Sequence, residues 1–396
     1  MLQHAITRRA LLKRAAGGAV LLGTVPFGYR VWGQSSIKAG WVYLTSPGDA
    51  GWTFRHDEGR KFAAANLTGV SLETLTVEGV SDADAGQAAQ NLVDAGANIV
   101  FTTSFGFLPG TQTVAKGSPT VLFEHCSGFS TQEPNQGAYF GRMYQARYLS
   151  GIVAGLMTET NQLGYVAAIP IPEVIRILNA FYLGAKSVNP DVTMQVTALG
   201  SFFDPGLAGQ QAIALIDDGA DVVTMHEDTP AVPTAAQDRG VFSVSYQSDM
   251  SAFAPNSHIT GVEWNWGPYY LKTLELVRDG AWTVRDVWSG FEDNTFVAPL
   301  VGISNRTGGG QSGLVNESLI SRLRGPAAVS QILDAVAQAR AAIVASPVAG
   351  NDVIFGGAIN ANSGQPLSAS PTDAELLSMD YPVEGVSGES FFNFFG

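Results

Sequence analysis

From Ile37 onward, short apolar runs rich in β-branched and aromatic residues alternate with longer segments whose apolar positions recur at helical spacing. The first series predicts strands at 37–44, 70–77, 98–103 and 119–124, with helices near 53–66, 83–95 and 108–117 between them. Strand, helix, strand in that order predicts a parallel sheet with right-handed crossovers. A link at 128–138, rich in Gly, Pro, Asn and Gln, interrupts the series, and the alternation then resumes. Helices near 141–159, 173–187, 206–218 and 229–238 alternate with strands at 162–168, 192–198, 221–225 and 241–245. The expectation is an α/β protein with two such sheets in tandem.

The chain continues beyond what two tandem sheets need. A strand at 258–263, a helix at 269–279, extended stretches at 286–301 and a long helix at 316–345 imply that it crosses back between the lobes. The expected division is a first lobe of 37–126 plus about 265–283 and a second of 127–264 plus about 284–345, with 346–396 as a wrapping tail.

In open α/β sheets, ligands bind outside the carboxyl ends of the strands. The first strand runs into the loop and helix start SPGDAGWTFRHDEGR, which presents Asp49 and Trp52, with Thr53 placed to cap the helix and His56 at its surface or rim. The third strand ends at Ser104, Phe105 and Phe107, and the fourth at Glu124 and His125. In the second lobe the strand ends bring IPIPEVIR with Asn179 and Phe181, then Phe202, Phe203 and Asp204, then His226, Glu227 and Asp228, then Tyr246, Gln247 and Asp249, then Trp264 and Trp266. Rings that can sandwich a flat solute alternate with carboxylates and amides that can take its donors. For any single ring a core position is the simpler reading; the joint placement carries the argument.

Catalytic motifs are sparse. The five histidines have no HxxxH spacing, and neither a GxSxG elbow nor a GxxxxGK[ST] loop occurs. Gly48 and Gly51 do not form the dinucleotide pattern GxGxxG, and the run Gly308-Gly309-Gly310 has no predicted strand leading into it and no lysine after it, so it reads as a loop and no cofactor or metal is expected. A hydrolase or deaminase using Glu124, His125 and Asp228 is the rival class, weakened because adjacent strand residues point to opposite faces.

Charge adds an address. Thr7-Arg8-Arg9 precedes an apolar run at 15–25 and a small-residue end at Gly33, the pattern of a twin-arginine export signal over 1–33. That run is too short to span a bilayer, and no later run is expected to do so. Its removal takes five basic residues and no acid from a chain of net charge −13, leaving 17 basic against 35 acidic residues, net −18. So acidic a surface argues against nucleic acid or anionic membrane as partner. Cys126, the only cysteine, precludes an intramolecular disulfide and lies far from the signal, so no lipid anchor is expected.

The motifs GDAGWTFRHDEGR, TTSFGF, YFGRMYQARYLSGIVAG, GYVAAIPIPEVIRILNAFYLGAKSVNP, FDPG, ALIDDGADVVTMHED, YQSDM and WNWGPYY, in this order, resemble the BMP (basic membrane protein) family of ABC-transporter substrate-binding proteins from about 37 to 386. The resemblance implies a type I periplasmic-binding-protein fold, with two Rossmann-like lobes joined by three crossings that close on a solute. It also implies a periplasmic, monomeric carrier that hands a purine base or nucleoside to an ABC permease. By position, Trp52 and Phe181 or Phe203 would stack on the base, and Asp49, Glu124, Asn179 and Asp228 would bond its edge. Where nucleoside binders of the family place an aspartate and a lysine against the ribose, this chain has Gln247 and Trp264, which implies a free base rather than a nucleoside. A ligand-sensing partner of a membrane receptor would use the same fold.

Overall fold

In the computed structural model the described residues are 36–127, 131–291, 301–304, 310–346, 353–368 and 371–393. The expected export signal lies outside them. The chain opens with β1 (Ser36–Val42), α1 (Gly51–Asn66), β2 (Ser71–Val77), α2 (Ala85–Asp94), β3 (Ile99–Thr102), a short 3₁₀ turn at Phe105–Phe107, α3 (Leu108–Gly117), β4 (Leu122–Cys126) and β5 (Gln136–Gly141). It continues through α4 (Met143–Met157), β6 (Gln162–Ala167), α5 (Pro172–Val188), β7 (Thr193–Ala198), α6 (Pro205–Asp217), β8 (Val222–His226), α7 (Ala231–Arg239), β9 (Phe242–Ser245) and β10 (His258–Trp264). Last come α8 (Trp266–Arg278), β11 (Asp286–Ser289), β12 (Val301–Ser304), α9 (Glu317–Arg324), α10 (Pro326–Ala345), α11 (Asp373–Leu377), β13 (Val386–Ser387) and α12 (Glu389–Phe392).

Two sheets result, in the orders β11-β5-β4-β3-β1-β2 and β12-β10-β9-β8-β6-β7-β13. Every pairing is parallel except that of β12 with β10. Central strands such as β3 (IVFT), β4 (LFEHC) and β8 (VVTMH) are buried along their whole length, the signature of strands covered on both faces.

The expected lobe boundaries need correcting. β5 pairs with β4 on one side and with β11 on the other, so 136–141 and 286–289 belong to the first sheet. The first crossing is therefore at Arg142, not near 127. The short run QGAYFG is buried on both faces and shows no alternation, so it read as part of a linker and a helix start. At Asn265 the chain leaves β10 of the second sheet for α8, which packs on α1, and it passes again from β11 in one sheet to β12 in the other.

Three further differences are local. Helix α1 begins at Gly51, with Ala50 rather than Thr53 at its cap; the Thr53 hydroxyl instead accepts from the Thr45 amide and hydroxyl. The long helix expected at 316–345 is two helices, broken at Gly325 (φ 83°) before Pro326, which prevents a continuous backbone ladder. By length and composition α10 is apolar enough to cross a membrane (mean hydropathy 1.2), contrary to expectation; here it lies against α4 and α9 with Ile332, Val336 and Ile343 buried.

Helices α4 and α5 form the spine of the second lobe. Thirteen of the 15 residues of α4 are buried. The two backbones approach so closely that a Cβ on Gly151 would lie 1.9 Å from the Phe181 carbonyl oxygen, a separation only glycine allows.

Candidate functional site

The carboxyl end of the first sheet is packed with rings and crossed by long-range hydrogen bonds, while His56 Nε2, His125 Nε2 and Trp266 Nε1 are buried without a hydrogen-bond partner among the described residues. Trp52, 7% exposed, donates its indole N–H to the Thr103 carbonyl at 2.6 Å and meets His56, Trp264 and Trp266 edge-on. Trp264 and Trp266 stack at 4.6 Å, and His56 stacks on Trp266 at 4.7 Å. His56 is thus fully buried rather than at the rim, with Nδ1 at 2.5 Å from the Tyr270 hydroxyl, and burial drives its pKa well below the usual 6.5.

Glu124 is equally buried. One carboxylate oxygen accepts from Tyr269 Oη and the other from Trp282 Nε1, each at 2.7 Å, and Arg285 lies 3.6 Å away. Burial raises its pKa, against the lowering pull of Arg285 and the two hydrogen bonds. The carboxylate is held by α8 and the segment after it, so Glu124 is a structural anchor and not a ligand-edge acceptor. The neighbouring His125 bonds Thr102 at 2.9 Å. Glu124, His125 and Asp228 therefore do not assemble an acid/base set.

The carboxyl end of the second sheet is built differently. The first turn of α5, which starts at Pro172 because proline needs no N–H partner there, carries Glu173 and Arg176. Strand β8 ends at His226, which is fully buried; its ring lies 4.3 Å from that of Tyr246 and 6.2 Å from that of Phe202, and its Nε2 is 3.9 Å from Glu173 Oε1. Both ring nitrogens of His226, the Tyr246 hydroxyl and Arg176 Nε are buried with no hydrogen-bond partner among the described residues. Leaving such groups unpaired costs roughly 1–3 kcal/mol each.

The carboxylates here are poised. Burial pushes Glu173 up to about 7 despite the lowering influence of Arg176. Burial likewise pushes Asp228 up to about 7, opposed by a hydrogen bond from Gln247 and reinforced by the charge of Glu173. His226 is held well below its usual range by burial and by Arg147 and Arg176. Cys126, at the end of β4 in the first lobe, is raised by burial and then by the charge of Glu173, so this carboxylate also acts on the edge of the opposite sheet.

The lobes meet around this cluster. The Gly51 amide, an orphan donor at the start of α1, reaches the Ser248 hydroxyl of the second lobe at 2.9 Å. Gly51 has φ 91°, and a Cβ on it would lie 2.4 Å from the Asp228 carbonyl oxygen. Arg55 Nε donates to the Trp264 carbonyl at 2.7 Å. Gln247, in the left-handed region at φ 72°, donates to Asp228 at 2.9 Å and accepts from the Trp264 indole.

The expected site residues thus separate into groups. Asp228, Gln247 and Trp264 form one hydrogen-bonded chain beside the cluster, and Trp52 is bound to Trp264 through ring contact. Asp49 is exposed in the loop that leads to Gly51, and Phe105 is half-buried beyond β3. Asp249 accepts from the Ser251 amide at 2.8 Å, and Phe203 is 54% exposed in the loop after β7. Asn179 and Phe181 lie elsewhere. The Asn179 amide donates to the Tyr381 carbonyl and accepts from the Val383 amide, fastening the tail, while Phe181 is fully buried with the Arg147 guanidinium 4.7 Å from its ring centre. Neither side chain has an open face for a solute.

Glu173, Arg176, His226 and Tyr246 were not selected as ligand contacts, although the strand-end rule names every segment that holds them. What singles them out is their want of partners, a three-dimensional property. Among the described residues no group of three or more His, Cys, Asp or Glu could hold a metal ion. A small cavity lined by Gln162, Thr193 and Gln195 opens at the amino ends of β6 and β7, opposite the ligand edge, and gathers no charged group.

A family model described as "ABC transporter substrate-binding protein PnrA-like" matches residues 37–295. A purine-binding protein of Brucella abortus is 41% identical over 261 residues, 66% of this chain and 74% of that protein. A Haloferax volcanii protein, named as an ABC-transporter glucose-binding protein, is 39% identical over 257 residues, 65% of each chain, so the match falls short of two thirds of its length. The crystal structure of a solute-binding protein from Aeropyrum pernix superposes with a TM-score of 0.61 at 19% identity, covering 78% of this chain and 91% of that one. That likeness establishes the type I fold.

Proposed function

This chain belongs to the PnrA-like family of ABC-transporter substrate-binding proteins, and from that premise we propose that it captures a purine base between its lobes and delivers it to an ABC permease. The observation that carries the proposal is the cluster of partnerless buried polar atoms on His226, Tyr246 and Arg176, beside Glu173 and Asp228. A purine presents ring nitrogens and exocyclic groups in one plane. A carboxyl group that titrates near 7 can donate to a ring nitrogen when protonated or accept from an N–H when ionised, and an uncharged imidazole can do either. Phe202 and Tyr246 supply flanking rings, and Asp49 and Phe105 close the first-lobe side. The Trp264–Gln247–Asp228 chain fills the position where the resemblance would place a sugar, which supports a base over a nucleoside.

In this account the protein performs no chemistry. Residues 1–33 are its twin-arginine export signal, and the product acts in the periplasm as an unanchored monomer. Closure follows the hinge pattern of two-lobed binding proteins.

The Haloferax relative favours a second reading, a hexose, since carboxylates and rings also bind sugars. Calorimetric titration of unfolded and refolded protein with adenine, guanine, hypoxanthine, adenosine and glucose separates the two. The expected result is heat from at least one base, with adenosine weaker; silence toward all purines with heat from glucose would overturn the purine assignment.

A further inference from the structure

The carboxyl-terminal segment lies beyond the residues matched by the family model, yet it grips two arginines on which the site depends. Arg142, at the first lobe crossing, gives Nη1 and Nη2 to the two carboxylate oxygens of Asp373 at 3.0 and 2.7 Å, a bidentate pair. Its amide donates to the Ser289 carbonyl at 2.7 Å and its Nε to the Trp288 carbonyl at 3.2 Å, joining the first crossing to the strand that enters the third. Three residues after the start of α11, the Leu376 carbonyl accepts from Arg176 Nη1 at 2.7 Å. The Trp288 ring lies against both guanidinia, 3.9 Å from Arg142 and 5.1 Å from Arg176. Helix α11 is itself fixed by a capping box between Thr372 and Glu375.

We propose that α11 is a positioning element of the ligand site: Asp373 fixes Arg142 at the crossing, and the Leu376 carbonyl turns Arg176 so that its partnerless Nε faces the solute. The tail then sets how long the lobes stay shut without touching the ligand. The guanidinium is planar and rigid, so anchoring one nitrogen orients the others. The inference rests on the site assigned above, but its geometry can be tested without any ligand.

The test compares the full chain with Asp373→Asn and Asp373→Glu. Asp373 is 41% exposed, so the variants should fold. Loss of a charge-assisted bidentate contact corresponds to about tenfold in a binding constant. Asp373→Asn is therefore expected to release adenine, guanine or hypoxanthine, whichever the wild type binds, about tenfold faster, with the free protein's melting midpoint lowered by a few degrees at most. Asp373→Glu should recover most of the difference. In the free protein, amide exchange over 142–146 and 172–178 should accelerate in Asp373→Asn. If wild type binds none of the three bases, the purine assignment falls, and the exchange measurement still decides the role of α11. Unchanged exchange and release, or faster release matched by an equal loss of melting midpoint in both variants, would overturn the proposal.

Discussion

Glu124 and Glu173 are both largely buried carboxylates at the carboxyl ends of parallel sheets, each near an arginine, and they serve opposite ends. Glu124 spends both oxygens on Tyr269 and Trp282 and ties α8 to the first sheet. Glu173, with 15% of its side chain exposed, stands among both ring nitrogens of His226, the Tyr246 hydroxyl and Arg176 Nε, which lack hydrogen-bond partners among the described residues. The two committed oxygens of Glu124 mark it as scaffold, although His56 Nε2, His125 Nε2 and Trp266 Nε1 near it also lack partners; what sets the second edge apart is that its partnerless atoms stand beside two carboxylates that burial pushes up to about 7. A buried polar group costs free energy until it is paired, so a cluster of unpaired ones gathered beside charged groups is a place that a ligand can complete.

The contrast can be broken most sharply from the scaffold side. Glu124→Ala should cost about 3–5 kcal/mol of stability, since it strands Arg285, Tyr269 and Trp282. Chemical denaturation measures this, and ligand affinity per folded molecule should hold. A mutant of normal stability with lost binding would reverse the roles of the two carboxylates.

Gly51→Ala tests the contact between the edges. A methyl group aimed at the Asp228 carbonyl, on a backbone at φ 91°, should hold the lobes apart. Affinity should fall about 100-fold, equivalent to about 2.7 kcal/mol. Left-handed strain limits the loss of free-protein stability to roughly 1–2 kcal/mol. Small-angle scattering should show wild type contracting with ligand and the variant not contracting.

Glu173→Gln should weaken purine binding roughly tenfold, or about 1.4 kcal/mol, without lowering the melting midpoint. It also carries a pH signature. The folded values of Glu173 and Asp228, about 7, lie above their usual 4.5 and 3.8, so the native state holds the extra protons. Their contribution to stability is full at low pH and is lost as pH rises toward and through 7. Melting curves of the free proteins should show Glu173→Gln gaining on wild type between about pH 4.5 and 7. A constant gap would mean that Glu173 is ordinarily ionised.

Much of the fold was legible from alternation alone, since parallel strands covered on both faces read as apolar runs separated by helical periods. What escaped was β5, whose QGAYFG carries glycine and glutamine at fully buried positions, and the docking of the tail, whose anchors lie far away in sequence. The site was legible as a set of segments but not as a set of residues. Glu124 finds Trp282 at a separation of 158 residues and Asn179 finds Tyr381 at 202, and only those long-range partners show that the two side chains are already committed. Asp228 and Gln247, expected at two separate strand ends, lie 2.9 Å apart because their strands, β8 and β9, pair directly.

The most direct test of the assignment is a crystal structure of the protein purified without unfolding and soaked in the base that gives the largest calorimetric signal. The account predicts a planar ligand within hydrogen-bond distance of Glu173, Arg176, His226 or Asp228, with Glu124, Asn179 and Phe181 keeping their present partners. A ligand bonded to Glu124 or stacked on Phe181, with the Glu173 cluster untouched, would contradict it.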